Sequence, residues 1–206
     1  MADITPVFFK EVAMILFSIP VKDGFFSFNV DNGSVLFAGS RYSKLDPKVT
    51  KGLVDRFGRL GFSFLTGCAN GVDESFRLAL SESDYTDSTT VACAFEERTY
   101  KLKGIFSLFV VPSGLKPKVA LAKRTLWMTS RCSLLVLFPS DPMGKGSALA
   151  FKSAIYNNKP VFVVTETKPE ETDLFSVYKS NLFGIVDGYW CIPPVYKETG
   201  LCYEAG

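Results

Sequence analysis

The sequence predicts an α/β protein of Rossmann type, an open and mostly parallel sheet with helices on both faces. Three observations predict it. From Ser34 onward, short apolar runs alternate with longer amphipathic segments, the rhythm of βαβ units. Three glycine-bearing loops each follow an apolar run and lead into a helical segment. The chain has 206 residues, 47% hydrophobic and 21% charged, enough to bury a sizeable core.

The elements follow in order. Val35-Leu36-Phe37-Ala38 reads as a buried strand and runs into a turn at Gly39-Ser40-Arg41. Residues 47–60 read as a helix, because Val49, Leu53, Phe57 and Leu60 fall on one stripe. Asp46 is its expected cap and Pro47 its first residue. Gly61 ends it, and residues 62–66 form the second strand. The loop Gly67-Cys68-Ala69-Asn70-Gly71 then leads into a helix over 72–80. Residues 89–95 and 105–111 read as two further strands joined by a charged stretch. A helix over 118–130, a fully apolar central strand over 134–138 and a third glycine-bearing loop over 139–145 come next. A helix over 146–156 and a strand over 161–164 complete the pattern.

The expected organisation is one domain, 1–206, with a Rossmann-like core at 34–165 and extensions at 1–33 and 166–206 packed on it. The N-terminal extension reads as a strand or hairpin passing through Phe25-Phe26-Ser27-Phe28 to a turn at Asp31-Asn32-Gly33. The C-terminal one reads as a short β-rich tail, rich in charge and turns before Phe183-Gly184-Ile185-Val186 and Tyr189-Trp190-Cys191-Ile192.

Composition removes several function classes. A net charge of +2 is too mild to announce a nucleic-acid binder by itself. With no histidine in the chain, His-based acid–base chemistry, Ser-His or Cys-His nucleophiles and His-containing zinc sites are impossible within it. Neither a cofactor nor a metal is called for. Cys68, Cys93, Cys132, Cys191 and Cys202 are odd in number and contain no C-x-x-C pair, which reads as reduced thiols in a cytoplasmic protein. The apolar N-terminal stretch is interrupted by Lys10 and Glu11 and bracketed by Pro6 and Pro20, too short for a membrane span and unlike a signal peptide.

In an open parallel sheet, ligands bind at the carboxyl ends of the strands near the reversal of strand order. All three loops leave such ends. Gly39 lets backbone approach a ligand, and Ser40 and Arg41 offer a hydroxyl and a guanidinium suited to phosphate. The second loop, with Gly67, Asn70, Gly71 and Asp73, presents the N–H groups of a helix start. The third supplies Gly144, Lys145, Gly146 and Ser147. Neither the Walker A spacing nor G-x-G-x-x-G occurs. Asp73 reads equally as a ribose contact or a cap on the helix it opens. Lys123 and Arg124 read as added charge at this edge or as a solvated helix face. Cys68 reads as a low-pKa thiol at a helix start or a small packing residue. Asp141 and Glu74 are the candidate catalytic carboxylates.

Taken together, Gly39-Ser40-Arg41, Thr66-Gly67-x-Ala69-x-Gly71-Val72-Asp73 with Ala79-Leu80, Lys123-Arg124 before Leu134-Leu135-Val136-Leu137-Phe138, and Lys145-Gly146-Ser147-Ala148-x-Ala150 resemble the Rossmann core of the DNA-processing protein A family. That family belongs to the SLOG superfamily, which includes the lonely-guy phosphoribohydrolases. The resemblance covers about residues 35–164 and implies binding of a nucleotide, a nucleotide-derived phosphate ligand or single-stranded DNA at the loops. Where the lonely-guy enzymes carry a catalytic carboxylate in Pro-Gly-Gly-x-Gly-Thr-x-x-Glu, this chain has Ala150. Binding is therefore the leading expectation. A nucleoside 5'-monophosphate N-glycosidase and a non-catalytic partner-binding scaffold are the alternatives, and a homo-oligomer is left open.

Overall fold

The structure is a computed structural model and describes residues 14–22, 24–196 and 201–203. Lys10 and Glu11 lie outside these residues. In chain order the strands are β1 (Met14–Val21), β2 (Gly24–Asp31), β3 (Ser34–Gly39), β4 (Ser63–Gly67), β5 (Thr89–Cys93), β6 (Ser107–Val110), β7 (Leu134–Phe138), β8 (Val161–Val163), β9 (Ser176–Leu182), β10 (Val186–Ile192) and β11 (Leu201–Tyr203). The helices are α1 (Pro47–Arg59), α2 (Val72–Ser81), α3 (Pro117–Arg131) and α4 (Lys145–Tyr156).

The larger sheet has the order β6-β5-β4-β3-β7-β8-β10-β9. Its first six members pair in parallel, and β10 and β9 are antiparallel additions. The chain builds outward from β3 to β6, then returns to place β7 on the other side of β3. The reversal therefore falls between β3 and β7. Every residue of β7 is buried, as a central parallel strand covered on both faces requires.

Local chemistry sets the helix ends. The Asp46 carboxylate accepts from the Lys48 amide (2.8 Å) with Pro47 as the first residue, and Gly61 ends α1 with φ of 81°, a left-handed conformation that costs glycine little. Helices α1 and α2 bury Leu53, Phe57, Phe76 and Leu80 on one face of the sheet. Met128 of α3 and Ala150, Ala154 and Ile155 of α4 cover the other.

Strands β1 and β2 pair as a hairpin, and β11 joins it as a third strand. Its inner side packs on the first face through Phe17, Phe28 and Trp190, and Phe26 stacks on Tyr178 with ring centroids 4.7 Å apart. The C-terminal tail is β-rich, as expected, and its first strand begins earlier than the sequence pattern indicates. Residues 176–182 are a strand, Phe183 and Gly184 are the turn (φ of 59° and 75°), and β9 and β10 extend the main sheet itself. Lys179 and Asn181 break the apolar rhythm of β9, an edge strand that needs only one buried face. Ile105 lies in a turn ahead of the shorter β6.

Candidate anion-binding cleft

Loops after β3, β4 and β7 meet at the switch point. Ser40 ties them together: its amide donates to the Phe138 carbonyl (2.8 Å) and its carbonyl accepts from the Val72 amide (3.0 Å). This close approach explains two glycines. A Cβ on Gly39 would collide with the Phe138 carbonyl, and one on Gly71, which has φ of 72°, would meet the Ser40 carbonyl oxygen at 2.5 Å. The Ser40 hydroxyl accepts from the Tyr42 amide (3.2 Å), turning the first loop outward.

Beneath the loops lies a buried charge cluster. Asp73, the second residue of α2, folds back, accepting from the Ala69 amide (3.3 Å) and facing the Arg124 guanidinium (3.9 Å). A Cβ on Gly67 would strike this carboxylate, so Gly67 makes room for it. Arg77, one helical turn beyond Asp73, donates to the carbonyls of Gly67 and Ala69 (2.9 Å for the latter). Burial pushes the Asp73 carboxyl up, against the opposing pull of Arg124, Arg77 and the Ala69 amide. Burial also draws Arg77 down, with Asp73 opposing.

Cys68 belongs to the same cluster. The neighbouring Cys93 thiol, the Ala94 backbone and Arg124 all act in the same direction, holding the Cys68 thiol well below the usual thiol range despite burial. Cys93 moves the opposite way, because it shares its proton with Cys68 and is itself desolvated.

A cleft of about 260 Å³ opens above this cluster. Its walls bring together Gly39, Ser40, Arg41, Asp73, Arg124, Gly144, Lys145, Gly146 and Ser147 of the sequence-predicted set. Arg41 and Lys145 are exposed, whereas Arg124 is 8% exposed. The start of α4 contributes residues 144–147, with Gly144 as N-cap and no side chain on the free amides. Such amides and the helix dipole favour an anion.

Other expectations are corrected. Gly67, Asn70 and Gly71 shape the second loop without lining the cleft, and exposed Lys123 points elsewhere. Arg124, one residue on, is no solvated arginine: a step of about 100° around α3 turns it inward. Asp73 is not the cap of α2; that position is Gly71. Neither Glu74 nor Asp141 lines the cleft, and the one carboxylate that does, Asp73, is engaged with Arg124 and Ala69. Sequence reasoning missed Tyr42, Thr125, Ser140 and Arg77. The spacing of Arg77 four residues after Asp73 is the signal that finds it.

Fold and cleft together define a Rossmann-type α/β protein with a cleft at the switch point lined by Arg41, Arg124 and Lys145. Its core is like that of DNA processing protein A. The Helicobacter pylori protein of that name, which binds single-stranded DNA, matches with a TM-score of 0.53 and 16% identity over 76% of this chain and 83% of that one. The Streptococcus pneumoniae protein matches with a TM-score of 0.51 and 18% identity over 66% of this chain and 51% of that one, so this chain spans about half its length. No protein-family model matches the sequence, and no curated protein matches it. No helix among the described residues is long and apolar enough to cross a membrane.

Proposed function

We propose that the cleft binds a backbone phosphate of single-stranded DNA. The observation that carries this reading is Arg124: its Nε is buried at the cleft wall with no hydrogen-bond partner among the described residues. A buried donor left unpaired costs about 1–3 kcal/mol, and a turn of the guanidinium toward a phosphate oxygen in the cleft would satisfy it. Arg41 and Lys145 bring two more positive charges, and the first amides of α4 face the same space.

Two features favour a strand over a small ligand. Sites that enclose small molecules usually measure roughly 300–1,000 Å³, so a cleft of about 260 Å³ takes a phosphate without enclosing a nucleotide. Tyr42, beside Arg41 at the mouth, is 89% exposed. A flat ring held outward next to a phosphate site suits stacking by a base. The likeness to the Helicobacter pylori protein points the same way.

Equilibrium binding of a labelled oligothymidylate tests the reading, with a panel of nucleoside monophosphates as competitors. Log affinity is expected to fall linearly with log salt, with a slope of about −0.7 per phosphate contacted, and the Arg41→Ala, Lys145→Ala double variant is expected to bind more weakly. No binding, or binding that ignores both salt and the double variant, overturns the reading. Equal affinity for a monophosphate would instead make the ligand a nucleotide.

A further inference from the structure

The cleft reading leaves one group of reactive side chains unused, the Cys68–Cys93 pair. The register of β4 with β5 places Gly67 opposite Ala92, and the Cys68 amide donates to the Ala92 carbonyl (3.0 Å). Cys68 directly follows β4 and Cys93 is the last residue of β5, so the two stand side by side at the carboxyl edge. Both belong to the same core cluster, hence the same face of the sheet. Neighbouring strands are about 4.8 Å apart, inside the range of roughly 4.4–6.8 Å that Cα atoms of a disulfide span. Both are free thiols.

We propose that Cys68 and Cys93 are a reversible disulfide site, closed by a peroxide entering from the carboxyl edge. Access runs through Cys68. It is 7% exposed and precedes Ala69, a wall residue of the cleft, whereas Cys93 is fully buried and follows as the second thiol to react. Charge supports reactivity: the Arg124 guanidinium stands 3.9 Å from the Cys68 sulfur, and a neighbouring cation favours the thiolate.

The chemistry balances with hydrogen peroxide as oxidant. The Cys68 thiolate attacks one peroxide oxygen, the O–O bond breaks, and the departing hydroxide takes a proton to become water. Cys68 is then a sulfenic acid. The Cys93 sulfur attacks the Cys68 sulfur, the S–O bond breaks, and the Cys93 proton leaves with that hydroxide as a second water. Two thiols lose two electrons and peroxide gains them. A dithiol reductant reverses the bond.

Cys132 and Cys191 are internal controls. Both are buried in the other core cluster, and desolvation pushes each thiol up to about 12.

The test is peroxide treatment of the full chain, acid quenching, unfolding, alkylation of every remaining thiol and peptide mapping. Cys68 and Cys93 are expected to lose label together, by about tenfold or more relative to Cys132 and Cys191, in one cross-linked peptide pair that dithiothreitol separates. In Cys93→Ser, dimedone is expected to trap Cys68 as sulfenic acid. Full labelling of both after peroxide overturns the proposal, as does a bond mapped to another pair or Cys68 oxidised while Cys93 stays labelled. The readout needs no ligand, so it fails or succeeds independently of the DNA-binding reading.

Discussion

Trp190 and Arg124 are both buried large side chains, at two regions of one sheet, and they are held by opposite means. Around Trp190, Phe162, Phe28 and Phe17 pack edge-on with ring centroids 5.1, 5.2 and 5.3 Å away. That seam joins the hairpin to β8 and β10 by shape and apolar area. Around Arg124 the neighbours are the Asp73 carboxylate and the Cys68 thiol, and one nitrogen stays unpaired. The first region gives up little by being buried; the second carries a standing desolvation cost that a bound anion would relieve. On the proposed function, the difference separates the part of the molecule that holds the fold from the part that acts.

The comparison predicts effects of decreasing size. Trp190→Ala is expected to cost about 3–5 kcal/mol in urea unfolding, with oligonucleotide affinity unchanged in the protein that remains folded. A cost below about 1 kcal/mol would mean the seam can collapse onto the gap. Asp73→Asn leaves Arg77 and Arg124 without their carboxylate and is expected to cost about 2–3 kcal/mol of stability. A neutral outcome in the same unfolding assay would show that the two guanidiniums need no counter-charge.

Smaller effects belong to the cleft mouth and fall on binding alone. Tyr42→Ala is expected to weaken oligothymidylate by about 1–3 kcal/mol while leaving inorganic phosphate and thermal stability untouched. Loss of phosphate binding as well would assign Tyr42 to shaping the loop instead. Lys145→Ala is expected to reduce the salt slope by about 0.7, one phosphate contact. An unchanged slope in salt titrations would take Lys145 out of the interface.

These same regions show what could be read from the chain. Val35 to Ala38 and Leu134 to Phe138 announce central strands because full burial requires unbroken apolar runs. The three loops were legible because tight βα connections demand glycine where backbones nearly touch, as at Gly39 and Gly71. The strand Ser176–Leu182 was not legible, since an edge position tolerates Lys179 and Asn181. Arg124 was hidden for a different reason. Adjacent cations on a helix look alike in sequence, and only the packing of α3 against the second loop turns one inward and leaves Lys123 in solvent. The aromatic residues of the hairpin were visible, but not that Trp190, from the far end of the chain, is their partner: a contact between distant segments leaves no local periodicity.

The most direct test is a crystal structure with a short oligothymidylate. The account predicts a phosphate oxygen within about 2.7–3.2 Å of Arg124 Nε, seated against the amides of Gly146 and Ser147 with the adjoining base on Tyr42. A strand bound along another surface, with Arg124 Nε still unpaired, would contradict it.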